Sequence, residues 1–227
     1  MSVPERWIRE LRRFHNTYEQ SKAEAEVLVE EAILRGLPVT VHRPSMVVGN
    51  SQTGKVIHFQ VFYYLVEFLS GQRTFGLFPN PGETRLDLVP ADYVAAAVLW
   101  SSEQQQTTGR ILHLCAGPDR AVAITELLRV VRAAFQRVGI NLPQAMTVPA
   151  VGFRAAVPIV RLLSSARRRR ALSTLPIFLD YLKENQSFAN AETERILQQA
   201  GIPTPVPETF VPKMLEYYLA RRGTTSS

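Results

Sequence analysis

The feature that most limits the fold of this chain is a helix pattern followed at once by a strand pattern. Apolar residues recur every three or four positions from about residue 17 to 35, which predicts an amphipathic helix. Gly36 and Pro38 end that helix, and the β-branched run that follows predicts a buried strand at residues 38–43. The helix side chains expected to face the core are Ala25, Leu28, Val29, Ala32 and Ile33.

The rest of the chain continues this alternation of helix and strand patterns. Alternating elements favour an α/β fold built on a parallel sheet over an all-α fold. After the first helix and strand, we expect helices at about residues 57–70, 91–102 and 123–138, a strand at 110–115 and a closing helix near the end.

Tyr18 and Lys22 lie four residues apart near the start of the first predicted helix, so they share one face. The ordinary pKa of a tyrosine is about 10, and a fixed cation beside it favours the phenolate and lowers that pKa. Such a pair suits proton transfer to an oxygen whose carbon exchanges a hydride. The same spacing also occurs on ordinary solvated helix faces, so the pair alone leaves both interpretations open.

The order of several motifs resembles that of the extended short-chain dehydrogenase/reductase superfamily. Within it, the chain is most similar to the branch of thioester reductases and fatty acyl-CoA reductases, the male sterility branch. The similarity runs from about residue 16 to 115 and more loosely to the end. The matching motifs are Tyr18-x-x-x-Lys22, Arg43-Pro44-Ser45, Gly49-Asn50-Ser51-Gln52-Thr53-Gly54 and the segment from Arg85 to Ala95.

The resemblance implies roles for four residues near a dinucleotide. Tyr18 would be the general acid that protonates a developing alkoxide, or the base in the reverse direction. Lys22 would lower the Tyr18 pKa and bind the nicotinamide ribose, and the Tyr18 hydroxyl would lie beside the cofactor. Pro44 and Ser45 would lie near the nicotinamide, because ligands bind outside the carboxyl ends of strands in open α/β sheets. Pro44 is equally well explained as the end of the strand.

The cofactor implied is NADP or NAD, with NADP preferred by resemblance to the reductase branch. Arg85 and Asp87 flank the substrate region in the family, so we expect them to bind substrate, although an ordinary surface pair explains them equally well. Asp92 follows Val89-Pro90 and is expected to be a helix N-cap. The aromatic helix from about residue 56 to 69 either lines a groove for an acyl chain or packs inside the protein.

The Gly-rich turn that binds a pyrophosphate in this superfamily is not found among the 227 residues. We therefore expect the nucleotide-binding half to be missing, through a late start of the reading frame, through truncation, or because a second polypeptide supplies it. On this expectation the chain by itself binds a dinucleotide weakly and is inactive alone.

Charge and cysteine content set further expectations. The chain has a formal charge of +6 and a pI near 9.8, to which the run Arg167–Arg170 contributes. That run is a solvated loop, or it attracts phosphates of a carrier-bound substrate or a membrane surface; no pattern supports nucleic acid. The single Cys115 fits a reducing, cytoplasmic location, and the scattered histidines form no metal signature.

Together these features predict the C-terminal part of a Rossmann-like doubly wound sheet at residues 1–145, a helical substrate-binding or closing region at 146–222 and a disordered tail at 223–227. The predicted activity is NAD(P)H-dependent reduction of an acyl thioester or related carbonyl, the substrate being a small molecule or carrier-bound. One alternative is a sugar-nucleotide epimerase or dehydratase of the same superfamily. The other is a catalytically silent relative that acts as a binding module.

Overall fold

The described part of the chain alternates helices and strands in a mixed α/β order. The computed structural model describes residues 2–8, 14, 17–59, 61–149, 151–153 and 187–222. The helices are α1 (Thr17–Leu34), α2 (Val61–Ser70), α3 (Ala91–Ser102), α4 (Ile124–Arg137), α5 (Ala191–Gln199) and α6 (Pro207–Arg222). The strands are β1 (Ser2–Val3), β2 (Val41–Pro44), β3 (Met46–Val48), β4 (Leu77–Pro79), β5 (Arg85–Leu86), β6 (Leu88–Pro90), β7 (Ile111–Leu114), β8 (Val122–Ala123), β9 (Met146–Val148) and β10 (Ser187–Phe188).

Strand pairing in the described residues is mainly parallel, as the alternating pattern predicts. Strand β2 pairs with β7, β3 with β6, β4 with β9 and β1 with β10, all in parallel, while β5 and β8 are antiparallel. Parallel strands need a crossover connection, and between β2 and β7 the chain includes α2 and α3. The α/β class and its parallel pairing are therefore confirmed.

A single extended segment, residues 41–48, changes its pairing partner at Ser45. Before Ser45 the segment pairs with β7, and after it the segment pairs with β6. The Ser45 N–H donates to Leu114 O at 3.1 Å, and the Met46 N–H donates to Asp87 O at 3.3 Å. The side chain of Ser45 is consequently held where the two partner strands diverge.

The larger hydrophobic core lies between helices α2, α4 and α6, and a smaller one lies between α3, β7 and α5. Most of α2 is buried, so the packing interpretation of the aromatic helix holds for those side chains, whereas Val61 and Tyr64 remain exposed. The largest buried side chains of the first core include Phe62, Leu69, Leu127, Phe135, Phe210 and Met214. The second core contains Val89, Tyr93, Ala97, Leu112, Leu114 and Leu197.

The predicted element bounds differ from the structure in two places. The helix expected from residue 57 begins at Val61, and the strand expected at 38–43 lies at Val41–Pro44. The two- and three-residue strands were not predicted, since such short segments carry too little periodicity. The run Arg167–Arg170 and the expected tail at 223–227 lie outside the described residues, and the domain division at residue 145 stays a prediction.

The apolar stripe of α1 is only partly covered in the described structure. Val29, Ala32 and Ile33 are partly buried, whereas Leu28 is 66% exposed, and no α1 residue is fully buried. Amphipathic spacing shows which face of a helix is suited to a core, but burial requires a second layer. No described element covers Leu28 or Leu34.

The expected N-cap role of Asp92 is also wrong. Pro90 occupies the N-cap of α3, and no side chain caps that end. The Asp92 carboxylate instead accepts hydrogen bonds from the Ser51 N–H at 2.7 Å and the Ser51 hydroxyl at 2.6 Å. Because Asp92 lies one residue inside the helix, its side chain reaches sideways to the loop of residues 49–54.

A buried carboxylate joins α2 to α6. Glu67 is only 5% exposed; it accepts a hydrogen bond from the Tyr218 hydroxyl at 2.6 Å and pairs with Arg222 Nε at 2.7 Å. Arg73 approaches its other oxygen at 3.6 Å. A buried charge is tolerated only when it is paired and hydrogen-bonded, and this one meets that condition.

We therefore expect Glu67→Ala to lower the free energy of unfolding by about 3 kcal/mol, because it leaves partly buried arginines without their carboxylate. Urea denaturation followed by circular dichroism measures this change. Glu126→Ala is the matched control: it removes an exposed carboxylate paired with Arg129 on α4, and we expect a loss below about 1 kcal/mol. Equal losses for the two variants would contradict the role of Glu67 in joining α2 to α6.

Gly54 holds the loop of residues 49–54 against α6. Its φ of +67° favours glycine, and a Cβ at this position would lie 2.2 Å from Lys213 O. The adjacent Asn50 side-chain oxygen accepts hydrogen bonds from the Thr53 N–H and hydroxyl, each at 3.0 Å. The loop is therefore fixed by Asn50 near its start and by Gly54 at its end.

Gly54→Ala should destabilise the fold more than Gly82→Ala, by at least about 2 kcal/mol. Gly82 has a similar φ of +55° but open space where a Cβ would lie, so both variants share the backbone strain and differ in the clash with Lys213. The comparison of their urea midpoints isolates the steric contact. If both variants lose the same stability, the loop moves away from α6 freely.

Candidate active site at the carboxyl end of strand β2

Tyr18 and Lys22 are in contact on the first turns of α1. The Lys22 Nζ atom lies 5.5 Å from the centre of the Tyr18 ring, within the range of a cation–π contact. Both side chains are exposed, Tyr18 by 66%. The expectation that they share a helix face is met, and the Tyr18 hydroxyl is free to approach a ligand from solvent. Their catalytic roles stay predictions.

Pro44 and Ser45 lie at the carboxyl end of β2, as the strand pattern predicted. Pro44 is exposed, while the Ser45 hydroxyl oxygen is buried and has no hydrogen-bond partner of standard geometry within the structure. That hydroxyl is near enough to Asp87 to lower the pKa of its carboxyl group. A buried hydroxyl without a standard partner at the end of a parallel strand is compatible with a polar ligand group there.

Asp87, which directly precedes β6, links β6 to the end of β7, the two strands that pair with residues 41–48. Its carboxylate accepts hydrogen bonds from the Ala116 N–H at 2.8 Å and the Gly117 N–H at 2.9 Å, just beyond β7. Burial raises the pKa of Asp87, and the nearby Ser45 hydroxyl and the N–H donors of Ala116 and Gly117 oppose that rise. In the described structure, Asp87 therefore stabilises the junction around Ser45, and its expected contact with substrate stays a prediction.

Arg85 is exposed at the antiparallel β5–β8 pair. Its Nη1 atom donates to Ala121 O at 2.8 Å, which ties the side chain to the turn before β8. Within the described part of the chain, the Arg85 side chain contacts Ala121 and the Asp87 side chain contacts Ala116 and Gly117, so the two bind different partners. A substrate-binding role for Arg85 also stays a prediction.

Sequence analysis assigned no role to Arg43, which links α1 to the end of β2. Its guanidinium forms a bidentate pair with Glu26, with Nε–Oε1 at 2.8 Å and Nη2–Oε2 at 2.6 Å. Nη1 also contacts His113 Nε2 at 3.2 Å. The signal that could have found this contact is Glu26 itself, which continues the four-residue spacing of Tyr18 and Lys22.

His113 is fully buried in β7, and its contacts define its protonation. Because an arginine can only donate, His113 Nε2 must accept from Arg43, and Nδ1–H then donates to Ala189 O at 2.8 Å. Burial lowers the pKa of His113; the hydrogen bond to Ala189 partly offsets this, and the Arg43 charge lowers the pKa further. The contacts therefore require a neutral imidazole.

Cys115, one residue beyond β7, is a buried free thiol. Burial raises the pKa of Cys115, and the Asp87 charge raises it further, so the thiol stays protonated at neutral pH. A buried, protonated thiol of this kind is an unreactive core residue. In the ranges described, no three His, Cys, Asp or Glu side chains group closely enough to hold a metal ion, and no helix has the length and apolar content to cross a membrane.

The comparisons with known proteins find relatives of parts of this chain. Residues 1–98 match the NAD-binding family model described as Male sterility protein. The nonribosomal peptide synthetase FrzA from Cladobotryum sp is 27% identical over 222 residues, which is 92% of this chain and 20% of FrzA. L-2-aminoadipate reductase from Schizosaccharomyces pombe is 36% identical over 104 residues, which is 46% of this chain and 7% of that enzyme.

The structural comparison agrees and extends over nearly the whole chain. The terminal R domain from the myxalamid PKS-NRPS biosynthetic pathway superimposes with a TM-score of 0.76 at 25% identity, covering 98% of this chain and 54% of that domain. The similarity expected from the sequence, to the reductase branch of the extended short-chain dehydrogenase/reductase superfamily, is confirmed, and so is the Rossmann-like fold. The chain spans about half of the solved R domain and a fifth or less of the two curated relatives.

The neutral state of His113 makes a prediction about pH. A histidine in an unfolded chain titrates near about 6.5, and the lowered pKa in the fold means that the unfolded state binds the proton more tightly. The free energy of unfolding should therefore fall as the pH decreases below about 6.5. His113→Asn has no imidazole to protonate, so its free energy of unfolding should decrease less over the same range. Urea midpoints measured between about pH 8 and pH 5 test this. Parallel pH curves for the two proteins would contradict it.

Proposed function

We propose that this chain supplies the proton-donating and substrate-binding part of an NAD(P)H-dependent reductase that acts on acyl thioesters. The observation that carries the proposal is the contact between Tyr18 and Lys22 on the exposed start of α1. Similarity to the superfamily gives that contact its chemical meaning, since a Tyr-x-x-x-Lys pair is otherwise common on helix surfaces. The similarity to a terminal R domain and to an aminoadipate reductase supports the choice of reaction.

In the proposed reaction, Tyr18 donates a proton to the thioester carbonyl oxygen as hydride adds to the carbonyl carbon. NADPH supplies that hydride when bound. Lys22 favours the resulting phenolate electrostatically, which makes proton donation easier. The thiohemiacetal formed from the substrate then loses its thiol: the C–S bond breaks, the hydroxyl proton passes to sulfur, and an aldehyde remains. One hydride and one proton are consumed for each aldehyde and thiol released.

The residues present fit part of a nicotinamide site. Lys22 and Tyr18 would bind the ribose, and Pro44 with Ser45 would border the nicotinamide ring, where the buried Ser45 hydroxyl lacks a standard partner. The dinucleotide phosphates would bind a Gly-rich turn that these 227 residues do not contain. We propose NADP over NAD because of the reductase-branch resemblance.

The substrate would be an acyl group on a carrier, and Arg85 and Asp87 would border its binding region. The similarity to parts of nonribosomal peptide synthetases supports a carrier-bound substrate. A reducing compartment such as the cytoplasm suits both a reduced cofactor and the free thiol of Cys115. A sugar-nucleotide epimerase activity is the second candidate. It has the weaker support, because the relatives described above include a reductase.

The reaction is tested with full-length protein that includes a nucleotide-binding half, by following NADPH oxidation with an acyl thioester and, separately, by following the conversion of UDP-sugars by chromatography. Oxidation with release of thiol and aldehyde is expected for thioesters alone. Turnover of UDP-sugars alone would favour the epimerase candidate. If NADPH gives no saturable fluorescence change and neither substrate reacts, the binding-module alternative gains.

Tyr18→Phe should lower kcat at least about 100-fold, because it removes the proposed proton donor. Lys22→Met should also lower kcat, because it removes the cation beside the proposed proton donor. Both side chains are exposed, so the circular dichroism spectrum should not change. Tyr217→Phe is the control, since it removes a hydroxyl on α6 but keeps the ring that contacts Arg221 at 5.1 Å. A fully active Tyr18→Phe protein would overturn the proposed role.

A further inference from the structure

Helix α1 carries the proposed proton donor, and the apolar side chains of its stripe are at most partly buried, as at Val29, Ala32 and Ile33. None of its residues is buried, and the side chains of Val27, Leu28 and Leu34 are all more than half exposed. Burial of apolar side chains is the usual force that fixes a helix on a sheet. The position of Tyr18 must therefore depend strongly on the specific polar contacts that α1 makes.

The strongest described contact of this kind is the ion pair between Glu26 and Arg43. Both carboxylate oxygens receive a guanidinium N–H, at 2.8 and 2.6 Å, in the bidentate geometry that fixes direction as well as distance. The side chain of Arg43 is only 15% exposed and that of Glu26 is 28% exposed, so solvent screens this pair less than an ordinary surface pair. Glu26 follows Lys22 by one helical turn and lies on the same side of α1.

The remaining N–H groups of Arg43 are held by the body of the protein. In the parallel ladder, Arg43 is the register partner of His113, and Nη1 donates to His113 Nε2 and to Arg6 O, each at 3.2 Å. His113 is itself held by Ala189 O and by the Thr193 hydroxyl, which accepts from its backbone N–H at 3.0 Å. The guanidinium therefore has one orientation, and that orientation faces α1.

Arg43 also has a particular place in the chain: Pro44 and Ser45 follow it directly. The same residue thus touches the helix that carries Tyr18 and Lys22 and belongs to the strand that ends in the proposed nicotinamide-binding residues. A shift of the Arg43 side chain therefore changes the distance between the Tyr18–Lys22 pair and the segment Pro44–Ser45. Lysine cannot replace it, because an ammonium is a point charge without the fork of N–H groups.

We propose that Arg43 is a positioning residue: together with Glu26 and His113, it fixes the Tyr18–Lys22 helix relative to Pro44 and Ser45. This inference rests on the proposed function for its consequence in catalysis, but its structural part stands apart from any activity. Arg43 touches neither substrate nor cofactor in this proposal. It acts through Glu26 on the placement of the proton donor.

The structural part is tested by hydrogen exchange of the whole chain with mass-spectrometric detection. In Arg43→Lys and Glu26→Gln, the backbone amides of α1 should exchange about 10-fold faster, because the helix separates from the body more often. The amides of α4 should be unchanged in both variants, which shows that the rest of the protein is folded. Unchanged protection of α1 in both variants would overturn the proposal.

Arg110→Lys and Glu192→Gln are the matched controls. They alter another Arg–Glu pair between distant parts of the chain, at 2.5 Å, but one whose side chains are 43% and 55% exposed. Neither residue contacts α1 in the described pairs, so α1 should exchange at the original rate. If these controls increase exchange of α1 as much as Arg43→Lys does, the effect is general and the proposal is wrong.

The catalytic part is tested by steady-state kinetics with NADPH and an acyl thioester, in full-length protein that includes a nucleotide-binding half. Arg43→Lys and Glu26→Gln should lower kcat about 10-fold with little change in KM, and Glu26→Asp should restore part of the rate because it keeps the carboxylate. A change in KM alone, or no rescue by aspartate, would contradict positioning. Faster exchange of α1 in a protein that reduces no thioester would instead reject the proposed function and leave the structural link intact.

Discussion

The parallel pairing of β2 with β7 is the constraint on which the rest of the site depends. It places Arg43 beside His113 and brings the segment 41–48 to the point where it leaves β7 and joins β6. Ser45 is held at this junction by Leu114 O, and Asp87 closes it by accepting hydrogen bonds from the Ala116 and Gly117 N–H groups. The carboxyl end of β2 is consequently rigid, which suits a ligand-binding position in an open α/β sheet.

Buried and partly buried charges in this structure join elements that are distant in sequence. Glu67 joins α2 to α6 through Tyr218 and Arg222, while Arg43 joins β2 to α1 through Glu26. In each case the desolvation of a charge is offset by several short hydrogen bonds from fixed partners. These two ion pairs differ in the contacts that accompany them. Helices α2 and α6 also share a hydrophobic core, whereas α1 has no fully buried side chain.

Much of the fold could be predicted because its longer elements have strong periodicity. The helices α1, α3 and α4 lie within a residue or two of their expected bounds, and the strand β7 lies where an apolar run indicated it. The short strands β3 to β6 escaped prediction, since two or three residues show no repeating pattern. Asp92 was assigned to a cap from its place after a proline, but its carboxylate found Ser51, a residue 41 positions earlier.

The sequence by itself determined the α/β class, the four-residue spacing of Tyr18 and Lys22 and the placement of Pro44 and Ser45 at a strand end, because local periodicity and turn residues act over a few positions. Only the tertiary structure decided which contacts hold these groups together. The pairing of Arg43 with Glu26 and His113 brings together residues 17 and 70 positions apart, and no local pattern records that meeting. The same holds for α1: its stripe is amphipathic in sequence, but burial depends on what packs against it in space.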